Sequence, residues 1–181
     1  MSLSITVEQS GRDELLALIA DIENGAEKAL YRTLTATQDK AKIEASKKIR
    51  TQLKLSKAYV DGHLFVGKPS YSNLSAKLYA TKRGILMSRF DHRSAKKGGV
   101  DVKIKPTGGY KNLPGAFILP RLKNVELPGI AVREKGRLKV LHAPSVSQVL
   151  NSYMPELRDE MAEFAADRLR KEVETIIRRG K

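Results

Sequence analysis

Leu74-Ser75-Ala76-Lys77-Leu78-Tyr79-Ala80 is the stretch that decides the fold class. Apolar residues stand at 74, 76, 78 and 80, so a pleated strand carries all four on one face. Lys82-Arg83-Gly84 can turn the chain into a second apolar segment at residues 85–90. A polar, basic linker at residues 91–99 follows. Val100, Val102 and Ile104 then alternate with Asp101, Lys103 and Lys105 until Pro106 ends the run. Gly108-Gly109 and Pro114 bracket a loop before Ala116-Phe117-Ile118-Leu119. Residues 130–133 and 138–141 come next, joined by a hairpin turn at Glu134-Lys135-Gly136-Arg137. Successive short strands with short connections make residues 74–142 a mostly antiparallel sheet.

On both sides of this region the apolar period changes from 2 to 3.6. Over residues 12–54, Leu15, Leu18, Ile19, Ile22, Ala26, Ala29, Leu30 and Thr33 recur at steps of three and four, continued by Ala41, Ala45 and Ile49. Asp13 and Glu14 suit the positive end of the helix dipole. No proline interrupts the segment, and Gly25 is its weak point, so it reads as one long helix or two in series. Residues 56–73, with Gly62, Gly67 and Pro69, read as a loop or extended arm. Over residues 144–178 the helical period returns through Val146, Val149 and Leu150, then Leu157, Met161, Phe164, Leu169, Val173 and Ile176. Pro155 belongs in the first turn of the second piece, where its missing N–H costs nothing. The expectation is a single α+β domain over residues 1–181: a long N-terminal helix, a central mostly antiparallel sheet, and a C-terminal helix packing on that sheet.

The chain has 181 residues, 41% hydrophobic and 30% charged, which suits a globular protein and not a disordered one. It has no cysteine, so disulfides and thiolate zinc sites are excluded. The N-terminus lacks the basic start and apolar core of a signal peptide, and no apolar run approaches the roughly 20 residues of a membrane span. These features fit a reducing cytoplasm. The net charge of +14 is unevenly distributed: residues 1–39 hold 3 basic and 7 acidic side chains, residues 141–181 hold 7 of each, and residues 40–140 hold 24 basic against 6 acidic. The whole positive excess sits in the middle of the chain, where it serves either as a polyanion-binding surface or as a solvated basic face.

Little in the sequence speaks for catalysis. His63, His92 and His142 are far apart, without paired metal-ligand spacing. Asp91-His92 beside basic residues hints at a nuclease, but phosphodiester cleavage usually needs clustered carboxylates to hold metal ions. Ser145 near His142 lacks a nucleophile elbow and a third group. It precedes a helical pattern, so it reads better as an N-cap. Gly98-Gly99 and Gly108-Gly109 read as turns. No catalytic, cofactor-binding or metal-binding residue is assigned.

Two stretches qualify as contact surfaces. Arg89, Arg93, Lys96 and Lys97 surround the linker, with Lys103 and Lys105 on the solvent side of the next strand. Phe90 is the only aromatic among them, so backbone-type electrostatic contact with a polyanion or partner fits better than base stacking. The second is the arm, where Tyr59, Leu64, Phe65, Val66 and Tyr71 either dock on a neighbouring subunit or fold back over the sheet.

Leu74-Ser-Ala-Lys-Leu, Ile85-Leu-Met-Ser-Arg-Phe, Gly99-Val-Asp-Val-Lys-Ile, Gly115-Ala-Phe-Ile-Leu, Gly129-Ile-Ala-Val-Arg and Ala143-Pro-Ser-Val, in this order and spacing, resemble the prophage minor tail protein Z family over residues 12–178. The chain resembles more distantly the tail-completion proteins that form rings at the head-proximal end of a tail. The resemblance implies a non-catalytic structural protein of a bacteriophage, without cofactor, that finishes the tail for joining to a filled head. It implies other tail proteins as partners, a homo-oligomeric ring, the genome's end nearby, and no membrane. Its places would be the virion tail and, during assembly, the bacterial host cytoplasm. The alternative from the residues themselves is a cytoplasmic nucleic-acid-binding protein using the basic central region; a metal-dependent nuclease ranks third.

Overall fold

A computed structural model describes residues 3–5, 12–20, 22, 24–122 and 128–179. The elements in chain order are β1 (Leu3–Ile5), α1 (Arg12–Ala17), α2 (Gly25–Gln52), α3 (Lys57–Asp61), β2 (Leu64–Gly67), β3 (Ala76–Ala80), β4 (Ile85–Leu86), a 3-10 turn at Met87–Arg89, β5 (Asp91–Ser94), β6 (Val100–Lys103), β7 (Lys111–Leu113), β8 (Ala116–Leu119), β9 (Gly129–Glu134), β10 (Arg137–Val140), β11 (His142–Ala143), α4 (Val146–Ser152) and α5 (Met154–Arg179). The architecture is α+β, with a long N-terminal helix, antiparallel strands and a C-terminal helix. The strands form four small sheets in place of one: β1-β3-β2, β10-β9-β8, β11-β4 and β5-β6-β7. The chain divides into two compact units, one of residues 1–46, 64–80 and 150–181, the other of residues 47–63 and 81–149.

In the first unit the alternation at residues 76–80 does what the sequence promises: Ala76, Leu78 and Ala80 are buried while Lys77 and Tyr79 face solvent. Ala76 joins a core with Ile19, Ala29 and Leu34 from the N-terminal helical segment and Ala165, Leu169, Val173 and Ile176 from α5. Small residues at 29, 76 and 165 allow close approach of these elements, and removing their shared apolar surface from water is the main stabilising term. Gln38, almost wholly buried on α2, donates from Nε2 to the carbonyl of Gly67 at 2.6 Å and to that of Lys77 at 3.3 Å. Gly67 and Lys77 are cross-strand partners, so one side chain ties α2 to the end of the β2–β3 ladder.

The helical stretch 12–54 takes the second of its two expected forms, with α1 and α2 in series, and Asn24, at a φ of 56°, turns the chain between them just before Gly25. Two expectations need correction here. Leu18, placed on the apolar stripe by its spacing, lies in this break and is 64% exposed. The arm at residues 56–73 contains α3 and the strand β2, which pairs antiparallel with β3 from Leu64↔Ala80 to Gly67↔Lys77. Its four residues carry no alternation to betray them, because only Leu64 turns fully inward.

In the second unit, the apolar segment at residues 85–90 opens with β4, which pairs with β11, and a 3-10 turn follows it. The supposed linker at residues 91–99 begins with β5, which pairs with β6 from Asp91↔Lys103 to Ser94↔Val100. Its sequence, Asp91-His92-Arg93-Ser94, has no large apolar residue, so no hydrophobic pattern could announce it. The β9–β10 hairpin is as expected but tighter: only Lys135 and Gly136 form the loop, both with positive φ (49° and 77°), as a type I′ turn requires. Ser145 does cap α4. Its Oγ accepts the Gln148 N–H at 3.1 Å, while its own N–H donates to Gln148 Oε1 at 2.8 Å, a reciprocal capping box. Pro155 occupies the first turn of α5.

A basic sheet face as candidate interface

The β5-β6-β7 sheet has one buried face, carrying Val100 and Val102, and one open face on which Arg93, Asp101 and Asn112 lie side by side in register. One step along, Asp91 stands opposite Lys103. The loop between β5 and β6 is Ala95-Lys96-Lys97-Gly98-Gly99, closed by Ala95 N–H to the Gly99 carbonyl at 3.0 Å and Gly98 N–H to the Ala95 carbonyl at 3.1 Å. Gly99 has a φ of +86°, and a Cβ there would lie 2.3 Å from the Leu113 carbonyl oxygen, so only glycine fits beside β7. This tight glycine closure holds Lys96 and Lys97 out at the tip, both exposed.

The end of α2 enters the same region. Lys54 N–H donates to the Ile104 carbonyl at 2.7 Å, which sets the Lys54 ammonium beside the Asp91 carboxylate in a direct ion pair. The Lys54 hydrogen bond holds the Asp91 carboxyl below its ordinary value and, reciprocally, raises the ammonium above its own. Arg93 Nε lies 3.3 Å from Asp101, with its guanidinium 4.4 Å from the Tyr110 ring centre. Asn112 donates to Asp101 at 3.0 Å and to the Gly98 carbonyl at 3.2 Å, fastening β7 to the loop. Ser56 caps α3 by accepting the Tyr59 N–H, and Tyr59 in turn lies 5.4 Å beneath the Arg89 guanidinium and stacks on His63.

Of the sequence candidates, the structure brings Arg93, Lys96 and Lys97 around one open hollow of about 660 Å³. Arg89 lies in a second of about 410 Å³, with Lys54, Tyr59 and Asp91. Lys103 stands opposite Asp91, and Lys105 is exposed two residues further on. Phe90, the aromatic noted in the sequence, is buried and unavailable. Tyr59, read in the sequence as part of the arm, reaches this region through α3. Sequence reasoning missed Lys54, Tyr110 and Asn112, which come from other elements; for Tyr110 and Asn112 the adjacent Gly108-Gly109 turn was the one available signal. In the arm, Leu64 is 2% exposed and leaves the set of candidate contacts, and Val66 is half-buried. Phe65 stays exposed in a stack with Tyr79 (centres 5.5 Å apart), and Tyr71 is exposed on Tyr31 (4.7 Å).

Among the described residues no three His, Asp or Glu side chains gather where a metal ion could be held. Ser145 is committed to its capping box, and His142 Nδ1 lies 3.1 Å from the Val140 carbonyl, so neither is arranged as a nucleophile–base pair. No helix among the described residues is long and apolar enough to cross a membrane. The region is a patterned charged surface, with Lys54 paired to Asp91 and Arg93 to Asp101. No curated protein and no solved structure matches the chain. The family model for prophage minor tail protein Z (GPZ) matches residues 16–180, nearly the whole chain, and such a family implies other phage tail components as partners and the virion tail as location. The chain belongs to the prophage minor tail protein Z family.

Proposed function

We propose that this minor tail protein is a non-catalytic structural subunit that completes the phage tail so that it can join a filled head. The observation that carries this reading is the match to the minor tail protein Z family across residues 16–180. Two features of the surface support it. The open basic sheet face offers an electrostatic contact for an acidic partner or for the end of the genome, and the exposed Phe65–Tyr79 stack bridges the edge strand β2 and its neighbour β3. In this reading the chain assembles as a homo-oligomeric ring, within the host cytoplasm, on other tail proteins. The test is deletion of the gene from an inducible lysogen, followed by electron microscopy of the lysate. We expect tails and filled heads that fail to join into infectious particles, restored when the gene is supplied in trans. A deletion lysate with an undiminished yield of infectious particles overturns the proposal.

A nucleic-acid-binding role is the second reading, favoured by Tyr59 and Tyr110 lying beside guanidiniums on a positive surface, since such rings can stack bases. It requires duplex or single-stranded DNA binding whose affinity falls steeply with salt. Absence of binding at low salt removes it.

A further inference from the structure

We infer that the open face of the β5-β6-β7 sheet docks on the acidic outer face of the first half of α5 in a second copy of the chain. The inference rests on the ring-forming part of the proposed function and supplies it with an interface. Lys96, Lys97 and Lys105 are exposed and make no ion pair among the described residues. Along α5, Asp159, Glu163 and Asp167 are likewise exposed and without an ion pair among the described residues, on the side opposite the buried Leu157, Met161, Ala165 and Leu169. The chain thus carries two unneutralised surfaces of opposite sign, one in each compact unit.

Spacing matches as well as sign. Residues two apart on β6 repeat every ~6.7 Å along the strand, and residues four apart on a helix repeat every ~6 Å. Asp167 and Lys171, four apart on α5, therefore stand at about the interval of Lys103 and Asp101, two apart on β6, with the opposite sign at each place. The face also carries its own carboxylates, Asp91 and Asp101, between the cations. A uniform line of phosphates is repelled at those two points. A helix whose acidic half is followed by Arg170 and Lys171 has a partner for each sign. Because the two surfaces differ, the contact is heterologous, and repetition from copy to copy builds a ring or an open filament.

The experiment is a charge swap on the full chain, read by sedimentation and light scattering over a range of concentration at low salt. One variant carries Lys96→Glu, Lys97→Glu and Lys105→Glu; a second carries Asp159→Lys, Glu163→Lys and Asp167→Lys; a third combines all six. Circular dichroism confirms that each is folded. Each triple should weaken self-association at least about tenfold, and the sextuple should recover most of that loss. Wild-type self-association left unchanged by both triples overturns this interface while leaving the ring reading standing. A wild-type chain that stays monomeric at every concentration overturns both. If the lysine triple abolishes duplex DNA binding but leaves self-association intact, the face serves nucleic acid and the proposal is wrong.

Discussion

Replacing Gln38 should unfasten α2 from the end of the β2–β3 ladder, and two substitutions separate the hydrogen bonds from the packing. Gln38→Met keeps the length and bulk of the side chain but removes both donations, the strong one to Gly67 (2.6 Å) and the weaker one to Lys77 (3.3 Å). A buried carbonyl left without its donor costs about 1–3 kcal/mol, and the second bond is too long to be worth its full share. The expected loss is therefore about 1.5–3 kcal/mol. Gln38→Ala adds an unfilled space at a position that is 1% exposed, for a total of roughly 2.5–4.5 kcal/mol. Gln38→Glu points a carboxylate at two carbonyl oxygens, so its folded form favours the protonated acid. That variant's stability should fall as pH rises through the carboxylate range. Urea unfolding with equal slopes, followed by circular dichroism, measures all three. A Gln38→Met protein within about 0.5 kcal/mol of wild type refutes the reasoning, since the two carbonyls would then be satisfied without this side chain.

Two further predictions concern the second unit. The Lys54–Asp91 pair should give Asp91 a titration midpoint below its ordinary 3.8, read by carbon-detected NMR, with return to the ordinary range in Lys54→Met. What Asp91 contributes to stability is then present above the unfolded carboxyl value and lost as pH falls through the lower folded value. The Lys54 share is present below its ordinary 10.5 and lost as pH rises through the higher folded value. Ser145→Ala removes the cap of α4 and should cost about 1 kcal/mol in urea unfolding, with Ser145→Asp retaining most of the stability; equal losses in both would show that the hydroxyl caps nothing.

What was legible in the sequence follows from how much apolar surface each element buries. Residues 76–80 and the terminal helices bury one face against a core, and that one-sided burial is what an apolar period records. Strand β5 buries almost nothing: its register partners hold it through backbone bonds, and its side chains serve charge. It therefore reads as a linker. The division of the strands among four sheets is equally invisible, because alternation says which face is buried and not which strand lies alongside. The cations of the candidate face were found by counting charge along the chain. The residues that shape it were not, since Lys54 arrives through a helix end, Tyr59 through α3 and Tyr110 through the loop before β7.

The basic face is concentrated at some cost to the fold. Residues 40–140 hold 24 basic against 6 acidic side chains, and like charges packed on short strands repel one another. Two of those six acids, Asp91 and Asp101, are spent on this one sheet, each pairing with a single cation and leaving the tip lysines uncompensated. The strands of the sheet intersperse the two signs, whereas the tip sets Lys96 and Lys97 side by side, an arrangement that solubility alone does not call for. The rigid glycine closure at Gly98-Gly99 points the same way, because a loop that merely connected β5 to β6 would not need a position where every side chain but hydrogen collides with Leu113. In the proposed assembly the repulsion is borne by the free subunit and would be relieved when an oppositely charged partner arrives, which would make assembly and the neutralisation of this face one event.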